Sequence, residues 1–150
     1  MILLPRRCVL AIAAVADIAI NARPRPVAAK ALAARHSLPP RHLETLLQAL
    51  VHARILRGVR GPHGGYELAR ERRKISAGEI VRAALSTSAD DAEGEGGRSG
   101  LIDRVVTPLV EAAGQSFLRQ LDAISVDDLA RDAEAHLPDL SSAPSGQFHI

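Results

Sequence analysis

Apolar positions recur at helical spacing along most of the chain, and the interruptions mark where helices stop. The run from Cys8 to Ile20 is apolar on most sides, which predicts a first helix covered on both flanks. Val27 to Ala34 is an alanine-rich helical stretch, Arg35 to Leu38 breaks it, and Pro39-Pro40 opens another helix reaching about Ala53. Proline suits a first helical turn, where its missing N–H would have had no intrahelical partner. Within that helix Leu43, Leu46, Leu47 and Leu50 form one apolar face at three- and four-residue spacing. Arg41, Thr45, Gln48 and His52 form the opposite stripe.

The period then changes. Leu56 and Val59, then Tyr66 and Leu68, supply two short strands around Gly61, Pro62, Gly64 and Gly65, whose special backbone angles reverse the chain. Arg57, Arg60, His63 and Arg70 decorate the protruding hairpin. It lacks the spaced triple-glycine fingerprint and any Gly-Lys-Ser/Thr end, so a nucleotide-phosphate loop is a weak reading. Ser76 and Glu79 have capping-box spacing and start a helix to about Leu85. Ser86 to Gly100 reads as a mobile loop rich in Ser, Gly, Asp and Glu. Beyond it Ile102, Val105, Val106, Leu109, Ala113, Phe117, Leu121 and Ile124 make a long amphipathic stripe. Pro108 predicts either a kink there or, with Thr107 as cap, the helix's real start. Ser125 opens a short helix to about His136, and Ser141 to Ile150 reads as a disordered tail.

Helix, short turn, helix and basic hairpin predict a mainly α chain with a small β-hairpin wing: a winged helix-turn-helix DNA-binding domain plus a long dimerisation helix. The expected divisions are 1–86 for the winged domain, 87–100 for the flexible acidic, glycine-rich loop, 101–136 for the dimerisation helix and terminal helix, and 137–150 for the tail. Near the start of a helix in a major groove, Arg41 can reach guanine, Glu44 can accept from cytosine and Gln48 can pair with adenine. A polar stripe alone is more often a solvated face. The basic hairpin that follows tips the balance toward DNA. The expected contact set is Arg41, His42, Glu44, Thr45 and Gln48 on the helix, and Arg57, Arg60, His63, Gly64 and Tyr66 on the wing. An amphipathic helix outside a compact domain needs a cover, most commonly a second copy of the chain, here through Ile102, Val105, Val106, Leu109, Ala113, Phe117 and Leu121.

Charge strengthens this picture. Residues 1–82 carry fifteen Lys/Arg against five Asp/Glu, whereas residues 83–150 carry four against twelve. A net charge of +2 conceals that split. The basic half is the footprint expected of a duplex binder, and the acidic half should point away from DNA. Scarce aromatics, Tyr66, Phe117 and Phe148, argue against base-stacking platforms for single strands. Arg6-Arg7 followed by Cys8 to Ala16 resembles a signal peptide only superficially, because the run stops at Asp17 and is too short to span a bilayer. With one cysteine, a cytoplasmic, non-membrane protein is the simplest fit. The six histidines show no metal-ligand spacing and Cys8 has no catalytic partner arrangement, so an enzyme is disfavoured. The histidines are expected at the surface or in the groove. Asp90 to Glu95 reads as a solvated tract before a cation site.

These residues resemble the IscR, NsrR and CymR type of bacterial transcription factors, the Rrf2 family. The resemblance runs from about Arg7 to Leu129. It is strongest at Leu43-Glu44, across Val59 to Arg70, over Ile75-Ser-Ala-Gly-Glu-Ile80 and over Ala123 to Leu129. It implies a homodimeric regulator, with a repressor expected, on a pseudo-palindromic operator, Glu44 in base reading and Arg60 in wing contact. Many members hold an iron–sulfur cluster on three cysteines before the dimerisation helix, sometimes with a histidine. Ser86 to Thr107 contains neither residue type, so no conventional cluster and no other cofactor is expected. Cys8 stands where the family more often has an aromatic residue, and Arg54 replaces a glycine usual at the end of the recognition helix. The resemblance leaves room for an unidentified small effector between the winged domain and the dimer helices. The competing reading, a scaffold module derived from the winged fold, would not need Arg41, Arg57 and Arg60 kept on one face.

Overall fold

The turn between two short helices shows how local chemistry sets this architecture. In the computed structural model, which describes residues 4–87 and 99–137, helix α2 (Ala29–Arg35) ends where Ser37 takes a left-handed φ of 52°. Leu38 N–H then bonds back to Ala33 O at 2.9 Å and Ser37 N–H to Ala34 O at 3.4 Å. This paired closure satisfies two carbonyls the helix would otherwise orphan. Helix α3 (Pro40–His52) ends the same way. Arg54 has φ 60°, with Ile55 N–H on Leu50 O and Arg54 N–H on Val51 O, both at 3.0 Å. The residue in place of the usual glycine therefore keeps the glycine's conformation.

Helix α1 (Arg6–Asn21) is the hub. Its buried Cys8, Ala11, Ala14, Val15 and Ile18 face one core with Leu43, Leu47 and Leu50 of α3 and Ile80, Val81 and Ala84 of α4 (Ala77–Leu85). The alanines let neighbouring helices approach closely, so a core almost without aromatics still closes. Both bonds of the expected capping box form: Glu79 N–H donates to Ser76 Oγ at 3.1 Å and Ser76 N–H to Glu79 Oε2 at 3.0 Å.

Two antiparallel strands, β1 (Leu56–Val59) and β2 (Gly65–Leu68), make the wing, with Leu56 opposite Leu68 and Arg57 opposite Glu67. Val27 adds a one-residue third rung through reciprocal bonds with Tyr66, 2.9 and 2.8 Å. A single 3₁₀ turn (Arg72–Lys74) leads into α4.

Pro108 does not mark the helix's start, and Thr107 does not cap it. The helix runs from Gly100 through a π turn (Ile102–Val106) into α5 (Thr107–Asp122), where Thr107 N–H reaches five residues back to Ile102 O and no side chain caps it. A widened turn just before a proline makes room for the ring and for the missing donor. Helix α6 (Val126–His136) carries a second capping box, Ser125 with Asp128. It does not extend away with α5, with which chain order groups it. Val126 and Ala130 are buried against the winged core, and Ala77 N–H to Ile124 O and Val126 N–H to Ile75 O, each 2.8 Å, tie the starts of α4 and α6 side by side. Residues 88–98 of the expected loop, with the acidic tract, and the expected tail from Ser141 lie outside the described residues. Among the described residues no helix is long and apolar enough to cross a membrane.

Candidate nucleic-acid interface

Helix α3 separates its two faces cleanly. Leu43, Leu46, Leu47 and Leu50 are buried, while Arg41, His42, Glu44, Thr45 and Gln48 are all exposed. Thr45 Oγ1 donates to Arg41 O at 3.4 Å, which commits its proton to the helix and leaves its oxygen to accept. Neither Arg41 nor Glu44 has an ion-pair partner among the described residues. Such unpaired donors and acceptors on a rigid helix are what a groove edge requires.

The wing sorts its glycines by different needs. Only Gly61 takes a positive φ, 122°, at the tip, where Gly64 N–H closes the loop onto Gly61 O at 2.9 Å. Gly64 and Gly65 are required by close approach: a methyl on the first would strike Val59 O, and on the second Val27 O. Arg60 and His63 stand exposed at the tip.

Three expected wing residues are otherwise engaged. Arg57 pairs across the strands with Glu67 at 2.6 Å, leaving its side chain 65% exposed, so it stays reachable but partly neutralised. Tyr66 is half-buried against the core and is not displayed at the tip. Arg70 does not decorate the loop: it turns inward, donating to Arg54 O at 3.1 Å, Lys74 O at 3.2 Å and Glu79 Oε1 at 3.0 Å. It thereby pins the end of α3, the base of the wing and the capping box of α4 to one another.

The helix-turn-helix is anchored to α1 by a buried carboxylate. Asp17, 3% exposed, accepts from Arg35 at 2.8 and 2.6 Å, from Asn21 at 3.0 Å and contacts His36 Nε2 at 2.8 Å. Burial pushes this carboxyl up, but the hydrogen bonds from Arg35, Asn21 and His36 and the Arg35 charge outweigh it and hold Asp17 below the ordinary carboxylate range. His36 is thus not the surface or groove-facing residue expected. The signal was present in the sequence, since an aspartate interrupting an apolar helix must find partners inside.

On the long helix, Ile102, Val105, Val106 and Leu109 are exposed, with Leu109 at 70%, and Ala113 is exposed with them. Phe117 and Leu121, expected in the same seam, are half-buried; Leu121 packs against the chain's own core, and Phe117 lines a groove with Leu4 and Leu85. Leu101 and Val110, absent from the expected set, are exposed beside the others at 65% and 63%.

The Rrf2 family model, described as an iron-dependent transcriptional regulator, matches residues 4–132. The chain is 36% identical over 123 residues to slr0846 of Synechocystis sp., covering 81% of this chain and 83% of that one. It is 33% identical over 141 residues to the HTH-type transcriptional regulator IscR of Cronobacter sakazakii, covering 85% and 86%. Among solved structures, IscR of T. potens superposes with a TM-score of 0.68 at 30% identity, over 89% of this chain and 90% of that one.

The iron in the family's description finds a poor donor set here. The chain has a single cysteine. Cys8 is fully buried in α1, and burial pushes its thiol up against a smaller opposing pull from Arg7. A protonated core thiol is the reverse of a cluster ligand. Among the described residues no three His, Cys, Asp or Glu side chains converge as a metal site. What the fold and the sequence agree on is the regulator itself: this chain belongs to the Rrf2 family of winged helix-turn-helix, DNA-binding transcriptional regulators.

Proposed function

We propose that the protein acts as a homodimeric, sequence-specific repressor on a pseudo-palindromic operator, without a conventional iron–sulfur cluster. The observation that carries this reading is the two-faced α3: four buried leucines fix it to the core while Arg41, Glu44 and Gln48 project unobstructed, with the free Arg60 of the wing following in the chain. Arg41 and Gln48 read base edges, Glu44 accepts from a cytosine amino group, and Arg60 with His63 binds the backbone or minor groove beside them. The apolar side chains of the π turn and the first turn of α5 meet their twofold copies, so two reading heads engage two half-sites about one helical turn apart. Repression is then steric occupation of the operator. Cluster chemistry is replaced by another signal, since one buried thiol cannot supply the ligands.

Selection from a random duplex pool, followed by anisotropy with competitor DNA, tests this reading. It predicts an inverted repeat bound by two chains, with affinity that survives competitor and falls steeply with salt. Failure to enrich any sequence would end it.

A further inference from the structure

A cleft of about 920 Å³ opens between the C-terminal end of α1, the base of the wing and the first turns of α6. Six arginines line it, Arg23, Arg57, Arg70, Arg72, Arg73 and Arg131, against the carboxylates of Glu67, Glu71 and Asp127. Two of the six are accounted for, Arg57 by Glu67 and Arg70 by Glu79. The surplus gathers around Asp127. That carboxylate, 9% exposed, receives Arg72 at 2.8 Å and Arg131 at 3.0 Å, with Arg73 more distant at 3.9 Å.

One anion thus faces three guanidinium groups. Arg23, just past the end of α1, is exposed, lines the same cleft and has no partner among the described residues. Each guanidinium carries five N–H donors in a fixed fork, so most donors around Asp127 remain unused. Ile18, Ala19, Leu68 and Ala69 add apolar lining. Concave shape, this volume and a few convergent charged groups suit a small ligand, and forked cations suit phosphate or carboxylate oxygens.

We propose that this cleft binds a small organic polyanion, a molecule bearing two or more phosphate or carboxylate groups on a short carbon skeleton. Its acid groups engage Arg23 beyond the end of α1 and Arg72, Arg73 and Arg131 around Asp127, and its carbon atoms lie on the half-buried Ala19 and Leu68. The occupant bridges α1 and the wing base to α6 and draws Arg72 and Arg131 partly away from Asp127. An effect on operator affinity would rest on the DNA-binding reading above, whereas occupancy does not depend on it and is measured without DNA.

The test is calorimetric titration of the full chain with citrate and with pyrophosphate at matched ionic strength, acetate serving as the monoanion control. Citrate or pyrophosphate should bind saturably, one per chain, at least about tenfold more tightly than acetate. Arg23→Gln with Arg73→Gln should weaken that binding by about tenfold or more while leaving thermal unfolding unchanged, since neither side chain holds the fold together. Arg60→Gln at the wing tip should bind the anions as the parent does. Absence of saturable binding for both polyanions would overturn the proposal. So would a double variant that keeps full anion affinity but shows a reduced salt dependence of duplex binding, because these arginines would then belong to a DNA phosphate track.

Discussion

Replacing Asp17 with asparagine isolates the contact that fastens the helix-turn-helix to α1. Each carboxylate oxygen serves two partners: Oδ1 takes Asn21 at 3.0 Å and Arg35 Nη2 at 2.6 Å, while Oδ2 takes Arg35 Nε and His36 Nε2, both at 2.8 Å. An asparagine keeps one oxygen and turns a donating NH₂ toward the other pair. If that NH₂ faces the Oδ2 partners, His36 can switch tautomer and accept, which leaves Arg35 Nε as the one orphaned donor. An unsatisfied buried donor costs about 1–3 kcal/mol, more when charged. With Arg35 26% and His36 23% exposed, water relieves part of the loss. The expected destabilisation is therefore about 2–3 kcal/mol, a large share of an ordinary domain's margin. Urea unfolding followed by circular dichroism at fixed chain concentration measures it.

The same variant should change the acid limb of stability. Asp17 is held below the ordinary carboxylate range in the folded chain. The unfolded chain therefore binds a proton first as pH falls, and stability is complete above the unfolded carboxyl's pKa and drains away as pH drops through the folded one. Asp17→Asn should remove that component of the acid limb. A loss under about 0.5 kcal/mol, within the range of an ordinary surface change, together with an unchanged acid limb, would refute the claim that this network anchors the reading head.

Arg54→Gly should stabilise the protein by about 1 kcal/mol, because it relieves a left-handed non-glycine residue at a closure whose hydrogen bonds are already made; a thermal unfolding midpoint that does not rise would contradict the cap assignment. Gly65→Ala should cost about 1–3 kcal/mol, since its methyl meets the rigid Val27 carbonyl. Gly78→Ala should cost less, because its methyl meets only side-chain atoms, Asp122 and its ion-pair partner Arg82, which can shift together at the surface, and equal losses in urea unfolding would count against the third rung. Leu109→Glu should leave the fold intact and, in the proposed dimer, shift sedimentation to monomer, since the residue is 70% exposed in the single chain; a dimer that persists would move the proposed seam elsewhere.

Helix α3, the Ser76–Glu79 capping box and the helix start at Ser125 were legible because their information is local: a leucine face of fixed period and a serine ahead of an acid; that Ser125 forms a second capping box with Asp128 was not read. The wing's existence was equally plain, though its glycines were only half understood. Gly61 supplies backbone freedom, but Gly64 and Gly65 answer to neighbours, and the neighbour of Gly65 is Val27, some forty residues earlier. Tertiary contacts of that kind leave no periodic trace. The same holds for Arg70, which was expected to decorate the hairpin but whose partners lie on three other segments. It holds again for α6, which follows the long helix in sequence and returns to α1 in space. Asp17 was visible as an interruption of an apolar run, whereas its partnership with His36 needed the fold.

The most direct test of the central claim is the salt dependence of operator binding for the parent chain, Arg60→Ala and Gln48→Ala. If the wing tip and α3 engage one duplex in the stated roles, Arg60→Ala should weaken binding to all sequences and reduce the log–log salt slope by about one. Gln48→Ala should keep the slope and relax preference at a single base pair in each half-site. Parent-like behaviour of both variants, or a slope unmoved by loss of Arg60, would contradict the account.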